Sequence, residues 1–283
     1  MHTKLIAEIS SCHNGDLDLA KALIHAVAQN APGSICKFQD WRADNVPIGD
    51  HDKKRYKLYQ FPDEWYDILI PYCQENGVEF MTTVFNKDRV KFLASLGLRR
   101  VKIASISMTH KDLLLEAGAN FEELIVSTAF HSREEIEETV DWLATNAHKF
   151  TLMACTANYP TLPEDANLAR IDELKKMMEG QEYSSVGFSD HSLDNDVAKM
   201  ALSKGITYLE KHFSLSRSLP QIPHTMYEGG SPTTTHAVSI EPHELRGLAD
   251  WRDKVSIMQG SGEFAANEVE QAIKNKYENR YGK

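Results

Sequence analysis

Eight short runs rich in Val, Ile and Phe recur along the chain, at 4–10, 34–39, 78–83, 100–105, 123–128, 150–155, 185–190 and 206–213. They are nearly continuously apolar, the pattern of parallel strands buried on both faces. Amphipathic segments separate them. "LDLAKALIHAVAQN" puts Leu19, Leu23, Ala26 and Val27 on one helical face. "SREEIEETVDWLATN" opens on Ser132 with Glu135 three places on, a capping box, and "LDNDVAKMALSKG" ends in Gly205, a C-cap signal. Eight strands alternating with helices predict an α/β fold, the (β/α)8 TIM barrel, which takes about 250 of the 283 residues available. A doubly wound open sheet is the other reading, weakened because no GxGxxG follows the first run. The expected organisation is one barrel domain over 1–283 with a polar helical extension at about 262–280.

Net charge is −10 and the pI about 5.6, which argues against a nucleic-acid backbone as partner. Nothing at the start resembles a signal peptide, and no run approaches the roughly 18–20 apolar residues of a membrane span. Cys12, Cys36, Cys73 and Cys155 form no CxxC pair, so a reducing cytoplasm is the expected location. Two connections, 40–60 and 214–240, are too long for bare turns. Both leave strand C-terminal ends, where barrel enzymes carry their active sites.

The strand ends are where the chemistry collects. In order they supply Glu8, with Cys12, His13 and Asn14 behind it; Lys37 and Gln39; Thr82 and Thr83; Lys102 and Ser105; and Ser127 and Thr128. The last three supply Cys155, Thr156, Asn158 and Tyr159; Ser189 and His191; and Glu210, Lys211 and His212. A strand-end hydroxyl taken singly is a turn residue. A lysine inside an apolar run is rarer, because an unpaired buried ammonium is costly. Lys37 and Lys102 at matching positions point to a shared anionic ligand, with hydroxyls as directional donors. His191 and His212 end neighbouring strands, and neutral imidazoles suit divalent transition ions. Two protein ligands leave the shell open for substrate, as a catalytic Lewis acid requires.

The set "IAEISSCHNGD", "KFQ", "KIAS", "VSTAF", "CTANYP", "VGFSDHS" and "LEKHF", spread over 6–213, resembles the N-acetylneuraminate (sialic acid) synthase family. Each motif is weak alone; in register together they are specific. The resemblance implies condensation of phosphoenolpyruvate with an aldose or related aldehyde to a 2-keto-3-deoxy sugar acid, with loss of phosphate. It assigns His191 and His212 to a divalent metal, Mn2+ first, with Mg2+, Co2+ or Fe2+ as alternatives. It assigns Lys37, Thr83, Lys102, Ser105, Ser127 and Ser189 to phosphoenolpyruvate, and Glu8, Gln39, Asn158 and Tyr159 to the reacting groups and acceptor. Glu8, Lys102 and the two histidines are the expected catalytic set, and a homodimer is the expected assembly. A non-catalytic barrel binding a phosphorylated metabolite and a metal-dependent aldolase are the competing readings.

The departures from the family pattern fall on the acceptor side. Ser107, Thr109 and His110 stand where the family has an acid and asparagines, Ala157 and Cys12 replace asparagines, and "TTH" at 234–236 stands in place of an Asp motif. The family commonly carries a C-terminal antifreeze-like domain whose arginine completes the acceptor site, and the resemblance, which spans 6–213 of the 283 residues, leads to the expectation that this domain is missing. Arg42, Arg217 or the 218–235 loop, with His224, Tyr227 and Glu228, is the expected substitute.

Overall fold

The structure is a computed structural model that describes residues 3–45, 53–219 and 236–281. Its strands are β1 (Lys4–Glu8), β2 (Ile35–Gln39), β3 (Glu79–Val84), β4 (Arg100–Ile103), β5 (Glu123–Ser127), β6 (Phe150–Cys155), β7 (Ser184–Asp190) and β8 (Tyr208–His212). Each pairs in parallel with the next, and β8 closes on β1, giving a closed (β/α)8 barrel in sequence order. The open-sheet alternative is excluded, since no strand is left as an edge.

Alternation along each strand sorts the side chains. One set packs outward against the helices and includes Leu5, Phe38, Val101, Leu124, Leu152, Phe188 and Leu209. The other set points inward in layers. Ile6, Ile35, Met81, Ile125, Met153 and Tyr208 form a separate apolar cluster, the plug of the barrel. Gly187 shares this layer because no side chain fits. A Cβ there would lie 2.2 Å from Met153 Sδ and 2.8 Å from Tyr208 O. Below the plug an ionic layer seals the base. Glu79 meets Lys4 and Arg100, and Glu123 meets Arg100 and Lys149 while accepting from Tyr208 Oη and Thr151 Oγ1.

The expected capping box is present. Ser132 opens the helix Arg133–Asn146, and Glu135 Oε2 accepts from the Ser132 amide at 2.8 Å. Other boundaries moved. β4 stops at Ile103, and Ser105–Ser107 form a 3-10 turn whose Ser105 hydroxyl accepts from the Ala129 amide. The helix before Gly205 covers only Asp196–Leu202; Gly205 lies beyond its cap, Ser203, with φ of 66°. The helix Leu17–Asn30 buries Ala20, Leu23, Ile24, Val27 and Ala28, so its inner face is turned slightly from the expected one. The connection after β2 holds the 3-10 turn Ala43–Asn45 and the helix Lys53–Tyr59, and a terminal helix runs Glu268–Tyr281. All four cysteines are free and buried. Among the described residues no helix is long and apolar enough to cross a membrane.

His13, one of the residues gathered behind β1, turns away from the mouth into an aromatic nest. Its ring lies 5.4 Å from Trp65 and 6.0 Å from Phe61. Its Nδ1 accepts from the Gly15 amide at 3.1 Å, which requires a neutral ring. Burial pulls its pKa down to about 4. Between the ordinary value of 6.5 and about 4, the unfolded chain therefore binds a proton that the folded chain refuses. This contribution is complete above pH 6.5 and is lost as pH falls toward 4, by up to about 3 kcal/mol. Urea unfolding at pH 7.5 and pH 5 should show the loss, and His13→Asn should flatten the difference. An equal pH dependence in that variant would show that His13 is not its source.

Candidate active site

The upper inward layer is built almost entirely of polar side chains. Lys37 on β2 contacts the Glu8 carboxylate on β1 and donates to Thr83 Oγ1 on β3 at 3.1 Å. Lys102 on β4 donates to Ser127 Oγ on β5 at 2.5 Å. Glu210 on β8 stands between the lysines, its oxygens 3.7 Å from each ammonium, and accepts from Ser189 Oγ at 3.1 Å. Burial alone would raise the Glu210 pKa, but Lys102 and Lys37 outweigh it and hold the carboxyl down at about 2. Burial lowers the pKa of Lys37 to about 7, with Glu210 opposing the shift. Glu8, Lys37, Lys102 and Glu210 are each at most 5 % exposed, so their charges face one another and not bulk water.

At the rim sit the two histidines, with ring centroids 5.5 Å apart. His191 Nδ1 lies 2.7 Å from the Thr156 carbonyl, which can only accept, so the proton is on Nδ1 and the lone pair on Nε2. The Tyr159 hydroxyl donates to that Nε2 at 3.1 Å, and its ring stacks on His191 at 4.2 Å. Burial lowers both histidine pKa values, His212 further because His191 and Lys37 lie close. Both are therefore neutral near pH 7, the form that binds metal. Tyr159 is pushed the other way, first by burial and then by the nearby Glu210 carboxylate, so it stays a phenol.

Oε1 of Glu8 and Nδ1 of His212 are buried with no hydrogen-bond partner, while Oε2 of Glu8 and Oε2 of Glu210 face the Lys37 ammonium. Such groups around one basin call for a bound ligand or ion. Among the described residues no group of three or more His, Cys, Asp and Glu is arranged around a metal position. A pair of neutral imidazoles with an unpartnered nitrogen nevertheless fits a divalent ion whose remaining positions go to substrate or water.

Of the residues expected at the site, Glu8, Lys37, Thr83, Lys102, Ser127, Tyr159, Ser189, His191 and His212 come together. Ser105 sits at the rim, its hydroxyl 3.6 Å from Cys155 Sγ. Gln39 also lies at the rim, its Oε1 accepting from Trp41 Nε1 at 2.7 Å and Ser10 Oγ at 3.0 Å. Asn158 does not join; it is exposed and reaches Asp165 Oδ2 at 3.4 Å, because the loop after β6 turns its side chain outward. Lys211 points out of the barrel and pairs with Asp190 at 2.7 Å. Neither proposed arginine reaches the basin: Arg42 pairs with Asp40 and Asp63, and Arg217 with Glu244. His224, Tyr227 and Glu228 lie outside the described residues. Sequence reasoning missed the central role of Glu210. Its signal was the spacing to His212, two places on and therefore on the same face of β8.

A closed parallel barrel with charged and histidine side chains gathered at its C-terminal mouth has the layout of an enzyme. A model of the NeuB family matches residues 23–264, and the chain belongs to that family. It is a sialic-acid-synthase-like enzyme. The chain is 29 % identical to the N,N'-diacetyllegionaminic acid synthase of Legionella pneumophila over 95 % of its own length and 77 % of that protein's. It is 28 % identical to the pseudaminic acid synthase of Helicobacter pylori, over 76 % and 67 %. Among solved structures, it matches the N-acetylneuraminic acid synthetase of Leptospira borgpetersenii in complex with citrate. That match has a TM-score of 0.85 at 26 % identity and covers 99 % of this chain and 93 % of that one. A likeness to the DAHP synthase of Thermotoga maritima, TM-score 0.68 at 11 % identity, speaks for the fold alone.

Glu210→Gln keeps the shape of the basin and removes the charge between two buried ammonium groups. Its stability at pH 7, measured by urea unfolding, should fall by about 3–5 kcal/mol, the scale for breaking a buried ion pair from one side. A loss below about 1 kcal/mol would mean that Glu210 does not compensate the lysines.

Proposed function

We propose that the protein condenses phosphoenolpyruvate with an aldehyde of the aldose class to give a 2-keto-3-deoxy sugar acid, with release of phosphate. The observation that carries this reading is the convergence of two buried lysines, Lys37 and Lys102, with the hydroxyls of Thr83 and Ser127, on one basin. That set suits a small, multiply charged anion. In the reaction C3 of phosphoenolpyruvate bonds to the aldehyde carbon, water adds at C2, and phosphate leaves with cleavage of the C2–O bond. Lys37 and Lys102 hold the phosphate and carboxylate, and Thr83, Ser105, Ser127 and Ser189 supply directional donors. Glu8 offers carboxylate oxygens that can receive a proton from the attacking water. His191 and His212 would hold a divalent ion, Mn2+ before Mg2+, Co2+ or Fe2+, which when bound polarises the aldehyde oxygen as a Lewis acid. Tyr159 lies against both imidazoles and orients the acceptor beside them. A cytoplasmic homodimer completes the reading.

The acceptor is proposed to be an aldose other than N-acetylmannosamine. Ser107 and Ala157 lack the acid and amide that would meet its polar groups, and each lost hydrogen bond removes about 1 kcal/mol. The test is phosphate release from phosphoenolpyruvate with N-acetylmannosamine, its 6-phosphate, mannose, arabinose and modified aldoses. Release should depend on the aldose, with N-acetylmannosamine outside the best of the set by kcat/KM. Release with no member of the panel would remove the synthase reading.

Lys102→Met should leave the barrel folded and weaken phosphoenolpyruvate binding by about 2–3 kcal/mol, the range for a hydrogen bond to a charged group. Unchanged affinity by calorimetry would refute the assignment of donor to this basin. Chelation should abolish turnover, and Mn2+ should restore it. Full activity of the His191→Ala/His212→Ala variant in chelator would exclude the metal role.

A further inference from the structure

We infer that Tyr159 is a reversible cap on His191, so that a divalent cation gains the imidazole only by displacing the phenol. The inference rests on the metal reading of the histidine pair given above. The first support is the tautomer. His191 Nδ1 gives its proton to the Thr156 carbonyl at 2.7 Å, so Nε2 carries the ring's one available lone pair. The second is that this lone pair is in use. The Tyr159 hydroxyl lies 3.1 Å from Nε2, and because a bare ring nitrogen can only accept, the phenol is the donor. The third is coverage of both rings by one side chain. Tyr159 stacks on His191 at 4.2 Å with an interplanar angle of 29° and meets His212 edge-on at 5.8 Å.

The backbone around the cap is tied to the residue that it covers. The Thr161 amide donates to the His191 carbonyl at 3.0 Å, and Thr161 Oγ1 donates to the Asn158 carbonyl at 2.9 Å. The loop therefore stays in place while the hydroxyl is held at its tip by one hydrogen bond. A lone pair serves one partner at a time. When a cation takes Nε2 the O–H···N bond breaks, the phenol keeps its proton, and its O–H is released to donate to an oxygen of the incoming acceptor. The cap thus orders the events: the phenol becomes available for substrate once the cation is bound. It also gives Tyr159 a role opposite in sign to that of a metal-supporting residue, since its hydroxyl opposes metal entry.

Mn2+ would be titrated calorimetrically, without substrate, into the wild type, Tyr159→Phe and the His191→Ala/His212→Ala variant. Tyr159→Phe keeps the stacked ring and removes only the hydroxyl. It should bind Mn2+ about fivefold more tightly than the wild type, the factor that one net hydrogen bond carries. The double variant should not bind. Mn2+ should also produce a tyrosine difference band in the near-ultraviolet spectrum of the wild type, absent in Tyr159→Phe. Equal or weaker binding by Tyr159→Phe, with wild-type binding intact and lost in the double variant, overturns the cap and leaves the histidine pair as the metal site. If neither the wild type nor Tyr159→Phe binds Mn2+, the metal reading falls and the cap falls with it.

Discussion

Two ammonium groups buried in one barrel are tolerable only if negative charge stands between them. Glu210 meets that condition, 3.7 Å from both Lys37 and Lys102, and Glu8 adds a second carboxylate against Lys37. Much of the rest of the interior follows. Hydroxyls, with the thiol of Cys155, fill the remaining positions of the layer, and each lysine has three donors to satisfy. The apolar plug beneath it keeps water from entering by the base, so the charges remain in a medium of low dielectric constant. The balance of two lysines against two carboxylates leaves the basin formally neutral. On the proposed reading, a cation at the neutral histidine pair on the rim would add positive charge to what the lysines and hydroxyls offer a multiply charged anion.

Lysine has opposite uses on the two faces of the barrel wall, inward on β2 and β4 and outward on β8. Lys211 follows Glu210 directly and so points outward, into a pocket of acceptors. Its ammonium donates to Asp190 Oδ2, to the carbonyl of Ser192 and to that of Asp194, each at 2.7 Å. Asp190 ends β7 just before His191, and Ser192 and Asp194 lie on the turn after it, so Lys211 ties the end of β8 to the end of β7 and the turn beyond it. The spacing between His191 and His212 is thus held from behind by a paired charge, while the layer facing the basin keeps unpartnered atoms.

The barrel was legible because its signal is repeated. Eight apolar runs of matching length leave few topologies, and each run fell within two or three residues of an observed strand. The strand-end residues were legible for a related reason: period-two alternation places Lys37, Lys102, Ser127, Ser189 and His212 inward once the strand register is known. Residues on loops escaped this logic. Asn158 has no strand to aim it and turns to Asp165, and His13 is claimed by an aromatic nest assembled from β2 and from the segment 61–65. Arg42 shows the same limit, since its partner Asp63 lies 21 positions away and is brought close by a helix whose direction the sequence pattern does not specify.

On the proposed reading acceptor choice belongs to the loops, where the physics differs from that of the floor. The floor is fixed by eight hydrogen-bonded strands and by charges that must remain paired, so it tolerates little change. The rim positions where this chain departs from its family pattern, Ser107 and Ala157, lie in a 3-10 turn and an exposed loop, outside the ladder. Substitution there removes or adds one hydrogen-bonding group without uncovering a buried charge. Specificity in such sites is a difference between polar groups matched and polar groups left unmatched. A barrel of this kind can keep one donor site and exchange its acceptor, because the cost of change is large where the lysines are and small where the loops are.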